Sequence, residues 1–436
     1  MNMKLLFRVL LLAALFVPAV TYSQEEKKEA VEKELHGKGF QPIPLIIPKP
    51  MDANPEAAPA SDELKSVLTD DLTNSDFFDV IDASPFPAYD GGSKVTPWKN
   101  STAKYAALMK VGLTGDQVNV EARFYDLQSE QLVVGKIYKW DRKFVRQIAH
   151  RFGDEILLRL WGVKGLFTSR IAYSSDRSGN RDVWIMDYDG YNQQAITVSK
   201  TLNLSPDLSP DGKKVVFTSY RTAEGTIGQN LVVYFIYEGK KVNLFAGGTL
   251  NSAPAWSPDG KRVAFTSNVK GNTDIYVINA DGSGLRQITF SRGIDTSPAW
   301  NPRSGEIAFT SDRSGNPMIY VMNEDGTNER RLTFVGEYNE SAAWSPDGTK
   351  LAYVSRSGAI FDIYVIDMQT TVVTRLTQNE GSNENPCWSP DSRHIAFSSN
   401  RTGRYQVWTM LFDGTRPRQL TRDGNNTSPS WAAGSE

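Results

Sequence analysis

Pro254-Ala255-Trp256-Ser257-Pro258-Asp259-Gly260-Lys261-Arg262-Val263-Ala264-Phe265 decides the fold of the C-terminal half. It reads as a short apolar strand ending in Trp, a tight Ser-Pro-Asp-Gly turn and a half-buried second strand. Proline fixes φ in such a turn and glycine supplies the positive φ. The unit recurs as Ala343-Trp344-Ser345-Pro346-Asp347-Gly348 and as Cys387-Trp388-Ser389-Pro390-Asp391-Ser392. Trp256, Trp300, Trp344 and Trp388 stand at a constant spacing of 44 residues. Upstream, Pro206-Asp207-Leu208-Ser209-Pro210-Asp211-Gly212 keeps the motif with Leu in place of Trp, and Trp300 is followed by Arg303-Ser304-Gly305 as its turn. After the second strand come a turn such as Ser311-Asp312-Arg313-Ser314-Gly315-Asn316 and a third strand, Ile319-Tyr320-Val321. An Asp325-Gly326 hairpin then leads to an edge strand ending in Leu332-Thr333. Four strands in a repeat of this length describe a propeller blade.

The ends of the repeat set the blade count. Ile171-Ala172-Tyr173 is a second strand with no first strand before it, and Ser428-Pro429-Ser430-Trp431 is a first strand with nothing after it. Joined, they complete a sixth blade and close the ring with the C-terminal strand, which leaves only short edges exposed. Cys387 occupies the position of Ala255, Ala299 and Ala343, so it is expected to be a small packing residue.

The N-terminal half has no repeat. Lys4 and Arg8, the apolar run Leu10 to Val17, Pro18 and the small-residue site Thr21-Tyr22-Ser23 read as a secretory signal over residues 1-23, with Gln24 beginning the mature chain. Residues 24-41 form a charged leader, expected to be mobile. Residues 42-162 read as an α+β domain of about 120 residues. Its expected elements are a β-run at Ile43 to Ile47, a helix capped by Ser61 and running to Leu72, and strands near Phe77 to Ile81. Further strands fall at Tyr105 to Gly112, Gln117 to Asp126 and Gln131 to Lys139, and a second helix at Lys143 to Trp161. The pattern changes completely over Trp161 to Arg170, and 163-436 is the six-bladed β-propeller.

Composition excludes several classes. The net charge is -2, which asks for no nucleic acid. One Cys permits no intramolecular disulfide. No apolar stretch in the mature chain reads as a transmembrane segment. A serine hydrolase would need a Gly-x-Ser-x-Gly elbow with its own α/β domain, and no such pentapeptide occurs. A propeller lyase would need clustered histidines, whereas His36, His150 and His394 are scattered. His36 and His150 read as surface residues. The chain is therefore expected to be a monomeric binding protein, not an enzyme, with no cofactor and no metal.

A signal, a small α+β domain and six Trp-Ser-Pro-Asp-Gly blades, joined by Gly165-Leu166-Phe167-Thr168-Ser169-Arg170-Ile171-Ala172-Tyr173, together resemble the TolB family of the Tol–Pal cell-envelope system. The resemblance implies a periplasmic location. It also implies binding of the lipoprotein Pal through the propeller, and of TolA through the mature N-terminal segment, here Gln24, Glu25 and Glu26. Other outer-membrane proteins are further partners it allows. The roles it implies are envelope integrity and outer-membrane constriction at division. The leader departs from the family pattern in being longer and strongly charged.

The repeat also marks a face. The residue five before each blade Trp, or its equivalent, is Asn203, Asn251, Asp295, Asn339, Asn383 or Asn426. Each is expected on the loop entering the channel, so that the six form a polar ring at one mouth. Leu204, Leu250, Thr296, Glu340, Glu384 and Thr427 vary in chemistry beside them. By motif alignment Leu250, Ala253 and Thr296 fall on positions of the family's Pal contacts, with Leu250 in place of the polar residue often seen there. The rim, including Asn251, Asp295, Asn339 and Glu340, is thus the expected Pal surface.

Overall fold

The computed structural model describes residues 41–223 and 226–434. The signal, the charged leader, His36 and the TolA segment Gln24, Glu25 and Glu26 lie outside the described residues. Pro42 to Glu436 forms one compact unit. No described helix is long and apolar enough to cross a membrane.

The N-terminal part is a six-stranded sheet carrying two helices. Along the sheet run Phe78–Ile81, Ile43–Ile46, Tyr105–Thr114, Gln117–Asp126 and Leu132–Asp141, with Met51–Asp52 pairing beside Tyr105–Thr114. The first helix, Ala58–Asn74, starts earlier than the capping signal at Ser61 suggested. Pro59 stands in its first turn, where a missing N–H costs nothing, and Ser61 lies inside the helix, bonded to Asp52. The second helix, Val145–Trp161, ends where Gly162 adopts φ 74° and returns its N–H to Leu158 at 3.0 Å. A Cβ at Gly153 would sit 2.6 Å from the Phe167 ring, so glycine is what lets this helix approach the segment leading into the ring.

The ring has six four-stranded blades. In the blade of Trp256 the strands are Asn251–Trp256, Arg262–Ser267, Asp274–Asn279 and Arg286–Gln287, each antiparallel to the next. The closing blade is Asn426–Ala432, Arg170–Ser175, Asp182–Asp187 and Gln194–Ala195, so the last strand of the chain is the innermost strand of the first blade.

The 44-residue period has a physical cause at the blade seams. The Nε1–H of Trp256 donates to the Asp207 carbonyl at 3.2 Å, that of Trp300 to Ala255 at 3.2 Å and that of Trp388 to Ala343 at 3.0 Å. These three indoles pack against, and bond to, the inner strand of the preceding blade, while Trp344 packs against Ala299 there with its Nε1 buried and unpartnered. Burying an indole of about 200 Å² at about 25 cal/mol per Å² is worth roughly 5 kcal/mol. Leu208 has no indole to offer, and its seam is held differently. The Ser430 hydroxyl donates to the Asp207 carboxylate at 2.8 Å and accepts the Leu208 N–H at 3.0 Å.

Antiparallel strands put two kinds of turn on opposite sides of the ring. The Ser-Pro-Asp-Gly and Asp-Gly turns share one side, and it is there that the α+β layer sits. Asp76 receives Arg416 Nη1 at 2.9 Å and Arg393 Nη2 at 3.5 Å, and His394 Nε2 lies 3.1 Å from the Asn74 carbonyl. Asp154 accepts the Phe167 and Thr168 N–H groups at 2.8 and 3.0 Å, and the Thr168 hydroxyl at 2.6 Å.

His150 corrects the sequence reading. It is 2 % exposed, and its Nδ1 lies 2.8 Å from Asp71 Oδ2, while the Tyr188 hydroxyl of the first blade donates to Asp71 Oδ1 at 2.5 Å. The helical pattern marked the apolar face of this helix. It could not mark the polar edge that the ring would cover.

Candidate functional site

The other side of the ring carries the first residues of all six inner strands. In every blade the pairing of the first strand slips after its second residue, for example between Ser252 and Ala255. The third residue there adopts the left-handed conformation: Ser205, Ala253, Ser297, Ser341, Asn385 and Ser428 have φ of 47° to 53°. Proline follows in five blades and Ala342 in one. A bulge is one of the few places in a strand where proline loses no ladder bond. These bulges line a central channel of about 460 Å³, with Cys387 and the four Ala-Trp or Cys-Trp pairs on its wall.

Asn203, Asn251, Asp295, Asn339, Asn383 and Asn426 do not face solvent, so the expected polar ring is corrected. Each begins its strand and is at most 2 % exposed. Asn203 Nδ2 and the Thr197 hydroxyl both donate to Asp182 Oδ1, at 3.0 and 2.8 Å. Asn426 Nδ2 and the Thr421 hydroxyl donate to Gln406 Oε1 at 2.8 Å each. Asn251 Nδ2 donates to the Gln229 and Gly247 carbonyls, and Asn383 Oδ1 accepts Arg401 Nη2 at 2.9 Å. Asp295 binds Arg313 at 2.9 Å, and Asn339 Nδ2 donates to the Val335 carbonyl at 2.9 Å. Asn203, Asn251 and Asn426 thus join the outer part of one blade to the inner strand of the next, whereas Asp295 and Asn383 each hold an arginine that follows the second strand of their own blade. A repeated Asn at a fixed position arises from that need as readily as from a partner.

The next residue in each blade is half-buried at the mouth: Leu204, Ser252, Thr296, Glu340, Glu384 and Thr427. Ser252, not Leu250, is the equivalent position, and counting one residue on from each Asn would have found it. Leu250 lies half-buried just before Asn251, and Ala253 lies on the channel wall. Tyr338 donates to Glu340 at 3.0 Å, and Tyr405 bonds Glu384. Burial pushes the Glu340 carboxyl above the ordinary range, and the neighbouring Glu384 adds to the push. Thr427 accepts Arg181 Nη1 at 3.2 Å.

The same face carries side chains that sequence reading missed. Val198, Leu202, Phe290, Ile294, Phe334 and Val335 are 40 % to 85 % exposed, all on connections from an outer strand to the next inner strand. Val198, Phe290 and Phe334 each follow the buried Thr two residues beyond an outer strand (Thr197, Thr289 and Thr333), and that Thr was the available signal. Large apolar groups clustered on one face mark an interaction surface more than scattered ones do. Two hairpins also extend on this side, Lys214–Ala223 with Thr226–Phe235 and Lys350–Ser357 with Ile360–Asp367, longer than the six-residue strands beside them.

Residues 158–363 and 343–436 match the model of the TolB beta propeller domain, and residues 32–133 match that of the TolB amino-terminal domain. The chain belongs to the TolB family. It is similar to the Tol-Pal system protein TolB of Geobacter sulfurreducens, 37% identical over 212 residues, which cover 47% of this chain and 48% of the relative. With that of Desulfosudis oleivorans it shares 32% identity over 297 residues, 66% of each chain. The chain thus spans about half to two thirds of the length of these curated TolB relatives. The crystal structure of TolB from Acinetobacter baumannii superposes with a TM-score of 0.76 at 27% identity, over 90% of this chain and 97% of that one.

Proposed function

We propose that this chain is a non-catalytic periplasmic component of the Tol–Pal system, exported by its N-terminal signal, that docks the folded domain of the lipoprotein Pal on the open face of its propeller. The observation that carries the reading is the asymmetry of the ring. One side is occupied by the α+β layer, while the other leaves Phe290, Ile294, Phe334 and Val335 exposed around a channel mouth rimmed by Thr296, Glu340 and Glu384. Buried apolar anchors inside a polar rim are what a specific protein interface needs. In this reading Leu250, Ala253, Thr296, Glu340, Glu384 and Thr427 contribute contacts. Asn203, Asn251, Asp295, Asn339, Asn383 and Asn426 support them from beneath. The N-terminal segment from Gln24 to Glu26 engages TolA, and the two contacts together link inner-membrane Tol proteins to the outer membrane during constriction.

The test is calorimetric titration with the soluble domain of Pal. Thr296→Trp and Phe334→Ser are expected to fold like the parent and to bind at least tenfold more weakly. Parent-like affinity in both folded variants would move the Pal site to another surface.

A further inference from the structure

Where the second helix meets the first blade, three acidic side chains converge on one imidazole. His150 Nδ1 is engaged by Asp71, but its Nε2 is buried and has no hydrogen-bond partner. That nitrogen faces Asp189 Oδ2 at 3.8 Å. One ligand atom each from His150, Asp187 and Asp189 lies within 4.8 Å of the others. The ion pairs described at this cluster bring a single guanidinium, that of Arg146, to its carboxylates. A cavity of about 560 Å³, lined by His150, Asp187, Gln147 and Arg170, opens beside them. Gln147 Oε1, on the same wall, is also buried without a donor.

We propose that His150, Asp187 and Asp189 bind a divalent transition cation, with His150 Nε2 as the nitrogen ligand. One imidazole and two carboxylates suit zinc or manganese, with water in the remaining positions. The surroundings have the form of a metal site's outer shell. Asp71 holds Nδ1, so that Nε2 presents its lone pair, and Tyr188 in turn holds Asp71. A carboxylate behind a ligating histidine fixes its tautomer and raises its basicity. A cation with bonds of about 2.1 Å would draw the three ligand atoms inward by roughly an ångström. It would also add positive charge where three carboxylates meet the guanidinium groups of Arg146 and Arg170. Asp189 can keep Arg146 and still ligate, because a carboxylate offers about four lone-pair positions. One ligand comes from the α+β layer and two from the ring, so the bound ion would fasten the layer to the first blade.

The experiment is calorimetric titration of the untagged, EDTA-stripped chain with Zn²⁺, and with Mn²⁺ and Ca²⁺ as comparators. One Zn²⁺ or Mn²⁺ per chain is expected, with Ca²⁺ weaker, and a rise in Tm on binding. Asp187→Asn and Asp189→Asn are each expected to weaken binding at least tenfold and to abolish the rise in Tm. His36→Gln should leave binding unchanged. His150→Gln should remove it, but that change also strips Asp71 of a partner, so the two Asp variants decide if His150→Gln fails to fold. No saturable binding by ~1 mM of either transition metal, or parent-like affinity in both Asp variants, would overturn the proposal.

Discussion

On the Ser-Pro-Asp-Gly side of the ring, Tyr188, Arg393, His394 and Arg416 are engaged by Asp71, Asp76 and Asn74 of the α+β layer. On the Asn side, Phe290, Phe334 and Val335 stand largely exposed. The same six repeats build both faces, so the difference comes from the residues that vary between repeats. His394 replaces the Arg262 or Lys350 of other blades, and Tyr188 precedes an Asp-Gly pair where others have Ala280 or Glu324. Charged and hydrogen-bonding groups on the first face are already paired inside the chain. Apolar groups on the second gain only when another molecule covers them. A repeat protein therefore carries its specificity in departures from its own motif.

The largest effect expected breaks the ring that separates the two faces. Removing Asn426 to Glu436 takes away the inner strand of the first blade, with the Ser430–Asp207 seam and the Trp431–Ser169 bond. Circular dichroism should show loss of the cooperative thermal transition of the whole propeller. A truncated chain that melts like the intact one would mean that the ring closes without this strand.

Two smaller changes separate support from contact. Tyr188→Phe leaves the buried Asp71 without one of its donors and should cost about 1–3 kcal/mol in urea unfolding. Asn383→Ala, which removes bonds to the Gly381 carbonyl and from Arg401, should cost a similar amount on the open side. Its Pal affinity, measured well below its unfolding midpoint, should stay within a few-fold of the parent. A large loss of affinity with unchanged stability would return the buried Asn residues to the interface.

The pH profile of stability distinguishes buried carboxyls by direction. Burial pushes Asp207 and Asp154 up to about 6, against the hydrogen bonds they accept. A carboxyl raised in the folded state holds its proton more tightly there, so this contribution is greatest below about pH 4 and is lost as pH rises toward 6. Asp391 goes the other way. It is buried, yet His394, Ser389 and the Arg393 N–H hold it down to about 2. Its stabilisation is present above about pH 4 and is lost as pH falls toward 2. Asp207→Asn should flatten the decline between pH 4 and 6, and Asp391→Asn the decline below pH 4, in unfolding curves taken across that range. An unchanged slope in either variant would assign the effect to other groups.

The smallest stability effect is expected at the most exposed side chains. Phe290→Ser and Phe334→Ser should shift unfolding by no more than about 0.5 kcal/mol, while Pal binding weakens. A marked loss of stability would show that these rings pack within the chain and are not held out for a partner.

Much of this architecture was legible in the chain. Trp256, Trp300, Trp344 and Trp388 declared the blade because each indole has the same neighbour in the preceding blade. The unfinished repeats at Ile171 and Trp431 declared the closure, because half a blade cannot bury its own edge. Strand and helix positions in the first half followed from alternation and helical periodicity, both of which are local. Ser61 misled because a hydroxyl before an apolar stripe signals a cap only if the chain enters the helix there, and Pro59 had already done so.

The sequence by itself determined the six blades, their closure and the presence of two unlike parts, since periodic burial imposes a pattern on the residues that repeat it. Only the tertiary structure decided which polar residues face water. Asn251 and its five counterparts look like a rim and are buried ties. His150 looks like a surface residue and is enclosed by Asp71, Tyr188 and Asp189. Phe290 and Phe334 are large and apolar, yet stand in solvent. Hydropathy reports what a side chain prefers, whereas its exposure depends on which distant segment arrives to cover it. That is fixed only when the ring closes and the α+β layer settles on one of its two faces.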